Sequence, residues 1–373
     1  MRFLVGAFFF IALVSSTIVV TVGDIVSRSP SDTNEGVVSE DAPIITGESI
    51  EQIIGSNAHS AVRENIEERL KKISSSSDLQ EILEEKFALE AGLTLFPANV
   101  TSLKSAIESE DTSPRARLAL IHSLGTATSA EGEAAVAAMA IDEALPAHLR
   151  IQAITTLAER ELPSKNTIAT LSALSEGGET VTEEVRNAAT LNLGALAFAT
   201  LRSDRGSSDE ITRSLLRRAQ AQHAQSSDFV SQEFSLTVDA LANSGNPLAL
   251  PFLRSLTESH DPSTRALGAS ALRAMPGSES EERLLHLVQE DPSEETRQSA
   301  VEAIAQRKPS PSLTDKIAIL VTQEGSAIVR REMIRLLSTR VSNSEKARES
   351  LEALLTTESD EQNYELLVTS LNS

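Results

Sequence analysis

Residues 260–275 read HDPSTRALGASALRAM, and residues 290–306 read EDPSEETRQSAVEAIAQ. Each stretch carries Asp-Pro-Ser, then an arginine (Arg265 or Arg297), then small and apolar residues three and four apart. Proline suits the first position of a helix, and the spacing behind it is that of an α-helix with one apolar face. One chain therefore writes the same turn and helix twice in close succession.

The pattern extends in both directions when it is aligned on one Leu or Ile near the end of each such helix. The anchors are Leu93, Leu124, Leu157, Leu193, Leu241, Leu272, Ile304, Leu337 and Leu371, with steps of 31, 33, 36, 48, 31, 32, 33 and 34. Seven residues before them stand Lys86, Arg117, Arg150, Arg186, Phe234, Arg265, Arg297, Arg330 and Tyr364. Three residues before them, Ile121, Ile154, Val238, Val301, Ile334 and Val368 form a second apolar row. These positions share one helix face, because seven residues make nearly two turns. A period of this length marks stacked units, each leaving an apolar face that only its neighbour covers. The expected fold is all-α: an α-solenoid of about eight to nine helical hairpins, with no period-two strand from about Ser49 onward.

Over roughly residues 80 to 373 the chain resembles the HEAT-repeat family, whose units carry an Asp-containing turn and an Arg at the start of the second helix. Asp111 precedes Arg117 and Asp291 precedes Arg297, each by six residues, while Asp261 precedes Arg265 by four. Arg117, Arg150, Arg186, Arg265, Arg297 and Arg330, with Asp111 and Asp291, are thus expected to be structural, acid pairing with base along the stack. Tyr364, in the last unit, suits a cap. The resemblance implies a binding surface and says little about activity.

A weaker, regional likeness joins residues 162–199 and 241–256 to the helical domain of vitellogenin-type large lipid transfer proteins. It implies lipid handling. Those proteins wall their lipid cavity with β-sheets, and no comparable strand-rich segment exists here. HEAT-like bilin lyases would be the enzymatic parallel, but no reactive residue can be assigned to that role.

Composition narrows the partners. The net charge is -21, from 33 Lys plus Arg against 54 Asp plus Glu, which disfavours nucleic acid and anionic lipid surfaces. There is no Cys, so thiolate metal sites, disulfides and cysteine nucleophiles are excluded. The six His are scattered without the spacing of a metal motif. No catalytic residue, metal or cofactor is expected.

Residues 3–22 carry no charge, a length that spans a bilayer as a helix. Residues 1–23 read as a retained transmembrane anchor or a cleaved signal peptide, with Arg2 as the orienting charge. Residues 24–47, rich in Ser, Pro, Gly, Asp and Glu, read as a flexible linker, and residues 48–373 as the repeat domain. The repeats would then stand outside the cytoplasm, membrane-tethered or released as a periplasmic or secreted protein.

The 48-residue step places an insertion between Leu193 and Leu241. It carries Arg202, Arg205, Arg213, Arg217 and Arg218, offset in part by Asp204, Asp209 and Glu210. Inserted loops on repeat proteins project from one ridge and often carry contacts. These five arginines are the candidate docking patch for an acidic protein. The expected function is a non-catalytic protein-interaction scaffold, with lipid binding as the alternative.

Overall fold

The computed structural model describes residues 56–76, 78–95, 99–126, 129–225, 230–307 and 310–372. The anchor and linker expected over 1–47 lie outside the described residues. Among the described residues no helix is long and apolar enough to cross a membrane.

Eighteen α-helices pair into nine hairpins there, with no strand among the described residues. The first four hairpins are α1–α2 (Ser56–Ser75, Leu79–Leu95), α3–α4 (Val100–Glu108, Pro114–Thr126), α5–α6 (Ala130–Ile141, Ala147–Ala158) and α7–α8 (Lys165–Glu176, Glu183–Ser203). The fifth and sixth are α9–α10 (Arg205–Gln225, Gln232–Asn243) and α11–α12 (Leu250–Leu256, Pro262–Ala271). The last three are α13–α14 (Ser278–Glu290, Glu294–Gln306), α15–α16 (Pro311–Leu320, Ala327–Ser338) and α17–α18 (Glu345–Leu355, Glu361–Asn372).

Helix starts are written in the sequence. Ser129, Ser164, Thr182, Ser231, Asp261, Ser293, Ser310, Ser326 and Ser344 each accept, through a side-chain oxygen, the backbone N–H three residues on. This satisfies a donor that the first helical turn leaves without a partner. The two opening stretches differ in detail. In the first, Asp261 is the cap and α12 begins at Pro262; in the second, Ser293 is the cap and Asp291 stands two residues before that cap.

The second helix of each hairpin packs on the second helices of its neighbours, and the first helices form the other layer. Between the layers lie the expected anchors: Leu124, Leu157, Leu241, Leu272, Ile304 and Leu337 are fully buried, as are Ile121, Ile154, Val238, Val301 and Ile334. The side chain of Leu93 lies outside the described residues. In the last unit the buried position is Leu367, with Val368 and Leu371 only half covered. Close approach is set by small residues: a Cβ on Gly194 of α8 would run into the Ala240 backbone of α10.

The long step is not a loop. It is absorbed as helix: α8 and α9 each run 21 residues and are separated by Asp204 alone. Residues 211–225 contain neither Gly nor Pro, and Ser208, Ile211, Thr212, Leu215 and Ala219 supply a buried stripe at helical spacing.

Candidate functional site

The recurring arginines form a ladder in the C-terminal units. Arg265 donates Nε and Nη2 to Asp291 at 2.8 and 3.0 Å, and Nη1 to the carbonyls of Ser259 and His260. Arg297 does the same to Glu324 (2.9 and 2.9 Å) and to the carbonyls of Asp291 and Pro292. Arg330 repeats it on Glu358 (2.9 and 2.7 Å) and on the carbonyls of Glu324 and Gly325. Each guanidinium thus fixes its own turn and grips the acid in the turn of the next unit through a planar two-point bond.

The acids are equally committed. Asp291, Glu324 and Glu358 accept the backbone N–H of Ser293, Ser326 and Asp360. The Arg330 guanidinium holds the Glu358 carboxyl down to about 2, against the upward push of burial. The pairing partner expected for Arg297 is corrected here. The Asp291 carboxylate belongs to Arg265 of the unit before, and Arg297 takes only the Asp291 carbonyl. Glu324 and Glu358 lie six residues before Arg330 and Tyr364, the same offset as Asp291 to Arg297. That offset was the signal that could have found them. Tyr364 sits in the arginine slot half exposed.

In the N-terminal units the same slot stays local. Arg117 donates to the carbonyls of Thr112 and Ser109, and Arg150 to Ala140. Arg186 lies against Gly177 and makes no side-chain hydrogen bond among the described residues. Asp111 does not join a ladder: it is exposed, and Lys86, which would reach it from the unit before, pairs instead with Glu90 on its own helix at 2.8 Å. These units are tied across by other groups. Glu133 accepts from Ser164 N–H at 2.7 Å and Thr167 Oγ1 at 2.5 Å and lies 3.4 Å from Arg160. His122 stands between two carboxylates, its Nε2 3.2 Å from Glu159 and its Nδ1 3.5 Å from Glu90. Glu159 and then Glu90 raise the imidazole to about 9. Burial pushes Glu90 up, but bonds from His122, Lys86 and Thr126 bring it down to about 2.

The five candidate docking arginines divide. Arg205, Arg213 and Arg217 lie on one stripe of α9, an i, i+4 row, eight and then four residues apart, with side chains 66% and 59% exposed at Arg205 and Arg213. The stripe runs about 18 Å along the helix. Arg202, at the end of α8, is also exposed. Asp209 lies within the stripe, 4.0 Å from Arg205 and 3.7 Å from Arg213, and accepts from Asn246 at 2.9 Å. Arg218 faces inward: it donates to the Ser175 carbonyl at 2.6 Å, to Thr190 at 3.3 Å and to Glu233 at 3.1 Å. It holds α9 against its neighbours rather than presenting a charge.

No group of His, Asp and Glu able to hold a metal ion occurs among the described residues. Large exposed apolar side chains include Phe198 (62%), Leu162 (69%) and Leu248 (37%).

Comparison with known proteins places this geometry. Residues 235–305 and 281–371 match the family model described as HEAT repeats. No curated protein matches the chain. Among solved structures it is similar to lipovitellin, at 16% identity over 82% of this chain and 33% of that one, with a TM-score of 0.59. It thus spans about a third of lipovitellin's length. It is also similar to human deoxyhypusine hydroxylase (15% identity, 83% of this chain, 99% of that one, TM-score 0.32). A chain of the Pds5–Scc1 complex matches at 14% identity over 90% of this chain and 64% of that one, with a TM-score of 0.35. Of these three, lipovitellin alone is close enough to compare folds. Residues 235–371 thus match HEAT repeats, and over 82% of its length the chain shares a fold with about a third of lipovitellin.

Proposed function

We propose that the chain is a non-catalytic scaffold that binds a protein partner on the surface of its stacked hairpins. In this reading the repeats stand outside the cytoplasm, tethered through residues 3–22 or released after cleavage, and the partner is acidic. The observation that carries it is the exposed stripe Arg205, Arg213 and Arg217 with Arg202 beside it, on a chain of net charge -21. Most of the surface repels an acidic partner, so a local cluster of guanidinium groups steers where one docks. The ladder supports the same reading, because bonded turns keep the spacing of neighbouring units fixed and preorganise a long surface.

The test is to replace Arg213 in the full chain by a photo-reactive residue and irradiate in the host envelope. The reading expects crosslinks to an acidic protein, weakened by salt over the screening range of about 8–10 Å. Crosslinks that ignore salt, or none at all, would contradict it.

Lipid binding is the second reading. It is supported by the lipovitellin likeness, whose structure concerns lipid–protein interactions, and by exposed Leu162, Phe198 and Leu248. All three fall in the stretches that resemble the helical domain of large lipid transfer proteins. Stoichiometric lipid in an extract of the purified full chain would favour it over the scaffold.

A further inference from the structure

Three residues after the anchors of their helices stand Arg160, Arg307 and Arg340. Two of them reach back to the unit before. Arg160 Nη1 donates to the Gly125 carbonyl at 2.5 Å, and Arg307 Nη1 to the carbonyls of Leu272 and Met275 at 2.6 and 2.5 Å. These carbonyls end the preceding helix and need donors. Arg340, in the same slot, makes no side-chain hydrogen bond or ion pair among the described residues; its buried Nε makes no hydrogen bond, as at Arg160 and Arg307, but its Nη groups have no carbonyl to hold.

Arg340 lines a groove of about 320 Å³ between α14 and α16. Glu302, Gln306, Glu332 and Arg335 share the lining with buried Leu336 and exposed Ala305. The acids there already have donors: Glu332 accepts from Arg335 at 2.6 Å, and Glu302 from Gln298 at 2.8 Å. The unmet group is the Arg340 guanidinium, and a half-buried cation without a partner favours any ligand that supplies an anion. A phosphate would bring its second negative charge against Glu302 and Glu332. A carboxylate carries one charge, matches the guanidinium fork, and on a peptide brings backbone N–H groups that the two glutamates can accept.

We propose that this groove is a receptor for a peptide carboxylate, from an acidic side chain or a free C-terminus. The proposal rests on the scaffold reading and gives it a second, separate contact point.

The experiment uses the full chain and three fluorescent decapeptides of Ser, Gly and Ala, read by anisotropy. One has a central Glu and an amidated end, one a central Gln and an amidated end, and one a central Gln and a free C-terminus. The expected result is at least tenfold tighter binding of a carboxylate peptide than of the neutral one, and the arm that gains identifies the source. Arg340→Gln should abolish the preference. Ala305→Gln, which fills the exposed edge of the groove, should do so as well, and serves if Arg340→Gln fails to fold. Equal binding of all three peptides, or a preference that survives both variants, overturns the proposal. A preference that disappears with Arg202, Arg205, Arg213 and Arg217 changed to Gln, but not with Arg340→Gln, overturns the groove and leaves the scaffold standing. No carboxylate preference together with no crosslinked partner removes both.

Discussion

The arginine slot is spent differently in the two parts of the stack. In the units holding Arg265, Arg297 and Arg330, each guanidinium crosses to the next turn and closes a two-point ion pair with Asp291, Glu324 or Glu358. In the units holding Arg117 and Arg150, it reaches only the backbone of its own hairpin. The difference lies in the partner turns. An acid six residues before the slot is present at 291, 324 and 358, whereas the corresponding positions before Arg150 and Arg186 are Ala144 and Thr180. One residue type at one position thus serves as an inter-unit clamp or a local brace, according to what the neighbour offers. The part with the clamps is also the part that matches the HEAT-repeat model.

Arg297→Ala is the sharpest way to break the comparison. It strands Glu324, whose side chain is 7% exposed, together with two turn carbonyls, and should cost about 2–4 kcal/mol in denaturant unfolding. Arg117→Ala removes only two bonds to carbonyls and should cost about 1 kcal/mol. Equal losses would erase the distinction between clamp and brace.

The titration of the two parts should differ in direction. Glu358 is depressed from 4.5 to about 2, so its contribution is fully present above pH 4.5 and is lost as pH falls toward 2. His122 is raised from 6.5 to about 9, so its contribution is fully present below pH 6.5 and is lost as pH rises through 9. Comparing the wild type with Glu358→Gln on the acid side and His122→Gln on the alkaline side checks both signs. Each variant should flatten the stability profile in its own window. A His122→Gln profile still falling through pH 9 like the wild type would show that the imidazole is not the group responsible.

The smallest effect is expected at the exposed stripe. Changing Arg202, Arg205, Arg213 and Arg217 together to Gln should leave the melting temperature within error, because exposed charges add little to stability. Arg218→Gln, which removes bonds to Ser175, Thr190 and Glu233, should lower it measurably. If the fourfold variant melts lower than Arg218→Gln, the division of the five arginines is wrong.

The stack itself was legible because its period is one-dimensional: Leu124, Leu157, Leu241 and Ile304 could be aligned and placed in a core without any knowledge of pairing. The arginine slot was legible for the same reason. Its partners were not. Asp291 stands close to Arg297 in sequence, but Arg297 begins a helix whose flank faces the next unit, so the acid it meets is 27 residues away. The insertion failed differently. Extra length between repeats reads as loop by default, yet a Gly- and Pro-free run with Ile211, Leu215 and Ala219 at helical spacing is helix that extends a hairpin. His122 gave no local signal at all, since Glu90 and Glu159 come from the units on either side.

The claim that the arginines clamp the C-terminal units into one body is tested most directly by hydrogen exchange on the full chain, comparing the wild type with Arg297→Ala. The account predicts that protection falls together across α13 to α18, on both sides of the broken rung, while α4 to α8 exchange as before. Loss confined to α14, or spread evenly from α4 to α18, would contradict it.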